Sequence, residues 1–151
     1  MSELRIEPAT LDDLSELTEL LMDLFSQEDD FTPNREKQLR GLRLILEQPS
    51  RGRIFVLRNH KKIVGMINLL ITISTAEGGF VLLLEDLVIR QEHRGQGYGS
   101  RLLKHAIEFA RQKKIPAHHP VDGQAERIAE VLSEARVHRE RDDSDAAPSR
   151  E

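Results

Sequence analysis

Three glycines two residues apart, in Arg94-Gly95-Gln96-Gly97-Tyr98-Gly99, separate the most apolar run of the chain, residues 80–89, from an amphipathic run ending near Lys113. The first run reads as a strand. In the second, Leu102, Leu103, Ala106, Ile107, Phe109 and Ala110 recur at helical spacing. Glycines at such a junction let the backbone adopt positive φ and approach a ligand closely. The helix that follows offers unpaired N–H groups and the positive end of its dipole, which together suit a pyrophosphate. The plain alternative is a turn with capping glycines and no ligand. Two nucleotide motifs are excluded by spacing. The NTPase loop needs Gly-Lys-Ser/Thr, absent here, and the dinucleotide fingerprint needs its third glycine three residues after the second, whereas Gly99 follows Gly97 by two. Arg-x-x-Gly-x-Gly remains.

Upstream, residues 4–8 alternate apolar and polar, the period of a half-buried strand. Thr10 is a good N-cap, Asp12 and Asp13 favour a first helical turn, and Leu11, Leu14, Leu17, Leu20, Leu21 and Leu24 form an apolar helix face. A second helix is expected from about Asn34 to before Pro49, burying Leu39, Leu42, Ile45 and Leu46. Residues 53–58 and 63–74 read as a hairpin turning at His60-Lys61-Lys62. The order β-α-α-β-β-β-α predicts an α/β fold with one mixed sheet and helices packed on it.

A chain of 151 residues is one domain with a real core. The absence of Cys excludes disulfides, thiolate zinc sites and Cys nucleophiles, and fits a cytoplasmic protein. No secretory leader pattern occurs, and no apolar run approaches the roughly 20 residues that span a bilayer, so no membrane role is expected. A net charge of −4 offers no overall field for nucleic acid. Residues 90–114 are locally basic, which suits a polyanionic ligand, although each cation there could equally sit on a solvated face. Residues 139–151 have nothing to bury and read as a disordered tail after a single domain at 1–138.

Leu84-Glu85-Asp86-Leu87-Val88-Ile89 followed by Arg94-Gly95-Gln96-Gly97-Tyr98-Gly99-Ser100-Arg101 resembles the acyl-CoA-binding core of the GNAT acetyltransferase superfamily. The resemblance implies a mostly antiparallel mixed sheet whose central strand bulges and splays, with the pantetheine arm of acetyl-CoA pairing against its backbone. It implies that Leu87, Val88 and Ile89 contact the pantetheine and acetyl groups. The pyrophosphate is then held at Arg94, Gly95, Gln96, Gly97, Tyr98, Gly99, Ser100 and Arg101, chiefly by the N–H groups of residues 96–101. Catalysis in that family is direct attack of an amine on the thioester, so a base must take a proton from the ammonium. Strand alternation lets only one of Glu85 and Asp86 face the cleft. By resemblance Glu85 is the expected base, and the alternative is a carboxylate satisfied by a neighbouring Arg or N–H. Asp29 and Asp30, between the first two helices, could attract a cationic acceptor. That acceptor is an amine of a small molecule or peptide.

The family pattern runs to about residue 116 and then departs. A strand of the type R-I-T-L-L-T-D and a helix with F-Y-x-x-x-G-F are expected, but the chain reads Ala117-His118-His119-Pro120-Val121-Asp122-Gly123-Gln124. Those residues are compatible with the codons GCG CAT CAC CCT GTT GAC GGA CAG, which read R-I-T-L-L-T-D once the first G is dropped. Val131-Leu132-Ser133-Glu134-Ala135-Arg136-Val137 can likewise be written to give F-Y-Q-R-H-G-F in that frame. A frameshift near Pro116 is therefore expected, with the C-terminal strands missing or altered. His118, His119 and Asp122 are on that reading an accidental cluster, and no metal is expected. Two other functions stay open: an acyl-CoA-binding protein with little catalysis, and a remnant whose exposed strand edge pairs in a homodimer.

Overall fold

The computed structural model describes residues 4–26 and 33–118. Strands β1 (Leu4–Pro8), β2 (Gly52–Asn59), β3 (Lys62–Ser74), β4 (Gly79–Ile89) and β5 (Ala117–His118) form one sheet in chain order. The first four are antiparallel, and β5 runs parallel to β4. Helices α1 (Leu14–Ser26) and α2 (Arg35–Glu47) cover one face, and α3 (Tyr98–Lys113) covers the other.

Alternation along the strands divides the core. Phe55, Leu57, Ile67, Leu69, Leu82 and Leu84 pack with Leu102, Leu103, Ala106 and Ala110 of α3. Ile54, Val56, Ile63, Met66 and Val88 pack with Leu14, Leu17, Leu20, Leu21 and Leu42 of the other layer. Each buried aliphatic side chain contributes roughly 1.5–3 kcal/mol of transfer free energy, so the two clusters hold the sheet between its helices. Leu11 does not join the helix face expected of it. It lies in a single 3-10 turn, Leu11–Asp13, that precedes α1 and leaves it 53% exposed. The turn forms because the Asp13 carboxylate accepts from the Thr10 N–H at 2.9 Å, and the tighter winding rotates Leu11 off the helical stripe.

Arg58 locks this turn to the sheet. Its guanidinium donates to both oxygens of Asp13, at 2.9 and 2.8 Å, and to Glu7 at 2.5 Å. Burial alone raises the pKa of Asp13. The hydrogen bonds from Arg58 and from the Thr10 N–H outweigh it and hold Asp13 below the usual carboxylate range. A second arginine, Arg90, fixes the end of β4. It donates to the Ile63 carbonyl at 2.5 Å and to Glu16 at 3.3 Å, and Glu16 also accepts from the Ile63 N–H.

One expectation is corrected at the C-terminal side. No strand was expected after Pro116, yet Ala117 and His118 pair with Leu82 and Leu83. The ladder begins with the Leu82 N–H donating to the Pro116 carbonyl at 2.8 Å, and Ile115 and Ala117 pack against the α3 cluster. Backbone pairing needs no apolar side chain of its own, so periodicity could not announce it. Residues from His119 onward, including the expected tail, lie outside the described residues.

Candidate functional site

Strand β4 ends at Ile89, a 3-10 turn over Gln91–His93 follows, and Arg94 folds back so that its Nε donates to the Ile89 carbonyl at 3.0 Å. Gly95 and Gly97 then take φ of +80° and +79°, and Gly97 is the N-cap of α3. A Cβ added at either would meet nothing within 4 Å. Backbone conformation, not crowding, therefore requires glycine there, and the space over the turn is open. Gly99 differs: it is buried in the first turn of α3. The first helical bond runs from the Arg101 N–H to the Gly97 carbonyl at 3.2 Å. The N–H groups of Tyr98, Gly99 and Ser100 thus precede any intrahelical acceptor, at the positive end of a 16-residue helix. Arg94, Gln96 and Arg101 are exposed, while Tyr98 and Ser100 are half-buried.

The strand leading into this turn is irregular at one residue. Asp86 pairs with Asn68 and Leu84 pairs with Leu69, which leaves Glu85 as an extra residue in the ladder, a β-bulge. Its effect is visible in the core. Leu84 and Leu87, three apart and so on opposite faces of a regular strand, both pack under α3. The bulge cancels the alternation on which the choice between Glu85 and Asp86 rested. Asp86 lies opposite Asn68, which stands between Ile67 and Leu69 of the α3 cluster and two residues beyond Met66 of the other, so this pair belongs to the α1–α2 face. Asn68 Nδ2 donates to Asp86 Oδ2 at 3.1 Å. Glu85 and Asp86 are both half-buried.

Beyond the bulge the side chains of Leu87, Val88 and Ile89 are buried, at 9%, 2% and 7% exposure, so their backbone is what the far edge of the strand offers to a ligand. Among the described residues, the parallel ladder to β5 takes in Leu82 and Leu83. Bulged strand, glycine turn and helix start thus lie consecutively along the chain. The segment with Asp29 and Asp30, and the pair His119 and Asp122, lie outside the described residues. Asn68 interrupts an apolar run over residues 64–73, and nothing else in the sequence marks it. Among the described residues, no helix is long and apolar enough to cross a membrane.

Solved structures share this architecture. A possible acetyltransferase from Clostridium difficile 630 superposes with a TM-score of 0.77 at 18% identity, over 86% of this chain and 89% of its own. A predicted acetyltransferase from Clostridium acetobutylicum, solved with acetyl-CoA, gives 0.70 at 12% identity over 84% and 86%. An aminoglycoside acetyltransferase from an uncultured soil metagenomic sample, solved in complex with trehalose, gives 0.64 at 20% identity over 87% and 86%. At these identities the likeness speaks for the fold. No curated protein sequence matches the chain. The model of the acetyltransferase (GNAT) family matches residues 14–122, six residues past the point where the motif pattern was expected to stop. That match spans both helical layers, the bulged strand and the glycine turn, and the chain belongs to the GNAT acetyltransferase family.

Proposed function

We propose that this chain transfers an acetyl group from acetyl-CoA to a primary amine. The observation that carries the reading is the join of the bulged strand β4, through Leu87, Val88 and Ile89, to a positive-φ glycine turn that caps α3. The residues present fit the coenzyme. Strand β4 offers backbone donors and acceptors to a pantetheine amide, and the N–H groups of Tyr98, Gly99 and Ser100 at the start of α3 precede any intrahelical acceptor. Arg94, Gln96 and Arg101 border the glycine turn as exposed polar side chains.

Acetyl-CoA supplies an activated thioester. The chain's own work is to hold the two reactants in line and to move a proton. Glu85, in the bulge, takes the proton from the ammonium, directly or through water, so that the nitrogen lone pair attacks the carbonyl carbon. The C–N bond forms, the C–S bond breaks, and the electron pair leaves on sulfur, which ends protonated as the free thiol. A thermal-shift titration with acetyl-CoA tests the coenzyme reading, and release of free thiol against a panel of amines tests transfer. No shift at saturating acetyl-CoA overturns the first. A shift without thiol release leaves an acyl-CoA-binding protein.

That second reading is favoured by the departure of residues 117–124 from the family's R-I-T-L-L-T-D motif. A shifted reading frame from codon 117 accounts for the departure. The gene's nucleotide sequence over codons 112–138 decides it, since a stop codon early in the alternative frame rules the shift out.

A further inference from the structure

We infer that Gly65 is a positioning residue for the coenzyme. Its missing side chain lets the end of β4 and the start of α3 close on one point, which sets the spacing between the strand and the glycine turn. The inference rests on the acetyl-transfer reading and adds to it a residue that touches no ligand. Gly65 is buried inside β3, opposite Leu57 of β2 on one side and Ile89 of β4 on the other. Glycine weakens a strand interior, where a branched apolar residue is the ordinary occupant. The backbone does not ask for glycine here, since positive φ among the described glycines is confined to Gly78, Gly95 and Gly97. Space asks for it. A Cβ at position 65 would stand 2.5 Å from Ile89 Cδ1, 3.1 Å from the Val88 carbonyl oxygen and 3.2 Å from Leu102 Cδ1.

All three obstacles belong to the segment that the coenzyme reading uses. Val88 and Ile89 end the strand proposed to lie along the pantetheine arm, and Leu102 is one helical turn past Tyr98, where α3 begins. The chain between them passes through Gly95 and Gly97, and glycines are too permissive to hold a fixed reach. The meeting of Ile89 and Leu102 over Gly65 holds it instead, within the cluster under α3. Close-packed interiors answer an added methyl by shifting their parts, so a Cβ at 65 moves the end of β4 and the start of α3 apart. A ligand that engages both ends loses affinity when their spacing no longer matches it. Gly52 supplies the contrast. It is just as buried and crowded, by the Leu69 carbonyl oxygen at 2.8 Å, Ile45 Cγ2 at 3.1 Å and Leu70 Cδ2 at 3.3 Å, and none of these belongs to the coenzyme segment.

The test compares the wild-type chain with Gly65→Ala, Gly52→Ala, Ile89→Val and the double variant Gly65→Ala/Ile89→Val. Melting temperature, acetyl-CoA affinity by calorimetry, and transfer to an amine that the wild-type chain accepts are the readouts, and the affinity arm stands without turnover. Both glycine variants should melt lower than wild type, since each adds a methyl to a filled interior. Only Gly65→Ala should weaken acetyl-CoA, by about tenfold, with the loss in KM for acetyl-CoA and kcat within about twofold. Ile89→Val removes Cδ1, the nearest obstacle, and leaves the contacts at 3.1 and 3.2 Å. The double variant should therefore bind acetyl-CoA more tightly than Gly65→Ala and about threefold more weakly than Ile89→Val. Three results overturn the inference: wild-type affinity in Gly65→Ala, an equal loss of affinity in Gly52→Ala, or a double variant no tighter than Gly65→Ala. Should Gly65→Ala not fold, a double variant that binds as tightly as Ile89→Val overturns it. A wild-type chain that does not bind acetyl-CoA overturns the coenzyme reading beneath it, and this inference with it.

Discussion

The two halves of β4 carry the same kind of sequence and have different environments. Leu82 and Leu83 pair with strands on both sides, β3 and β5, and Val81, Leu82 and Leu84 are buried in the core. Leu87, Val88 and Ile89 are no less apolar and nearly as buried, yet among the described residues their strand has one neighbour. The difference starts at Glu85. A single extra residue there shifts the register and lets Leu84 and Leu87 share a face. Side chains after the bulge still build the core, and it is their backbone that the proposed coenzyme would pair with. A ligand that pairs with backbone needs that division of labour.

The sharpest way to break this contrast is at the turn that continues the second half. Gly97→Val puts a β-branched side chain at φ +79° and fills the open space above the turn, so stabilisation by CoA should vanish while the domain stays folded. A variant that binds CoA like the parent would remove the turn from the site. Next in size is Glu85→Gln, which keeps the bulge but not the base. Turnover should drop by about 100-fold or more, with acetyl-CoA affinity unchanged. Equal turnover across roughly pH 6 to 9 would reject Glu85 as the base.

Changes away from the second half should act on stability alone. Arg58→Met leaves Asp13 and Glu7 without their partner at a position 12% exposed. It should cost about 2 kcal/mol, between the exposed and buried limits for ion pairs, with coenzyme affinity intact. The same network sets an acid limit. Asp13 is depressed when folded, so its contribution is full above its unfolded value near 4 and is lost as pH falls through the lower folded value. Acid unfolding followed by circular dichroism should show that loss in the parent and not in Arg58→Met. The smallest effect is expected at His105, whose ring lies 4.6 Å from Phe55 and whose pKa is lowered by burial. Its contribution is full above about pH 6.5 and declines as pH falls through the folded value, so His105→Leu should flatten stability over that range.

What could be foreseen from sequence follows from what is local. Thr10 stands at the N-cap position expected of it, and the second helix starts next to Asn34 as expected, because such starts are decided within about four residues; the Asn34 side chain accepts from the Lys37 N–H at 3.2 Å. The positive φ of Gly95 and Gly97 is likewise local. The bulge at Glu85 is a relation between two strands, since only the pairing of Asn68 with Asp86 and of Leu69 with Leu84 reveals the extra residue. Asn68 was unreadable for the same reason: its partner lies 18 residues away across a hairpin. The short strand at Ala117 escaped because it rests on backbone bonds to a strand far back in the chain. The roles of Glu85 and the glycine turn were reached through family resemblance, and they stand as proposals on geometry that suits them.

Amide hydrogen exchange with and without acetyl-CoA tests the central claim most directly, because it reads the two halves of β4 in one experiment. Binding along the second half of β4 predicts new protection at residues 85–89 and at 96–101, with no change at Leu82 and Leu83, which are already paired on both sides. Protection that is absent from 85–89 and 96–101, or spread equally over both halves of the strand, would contradict it.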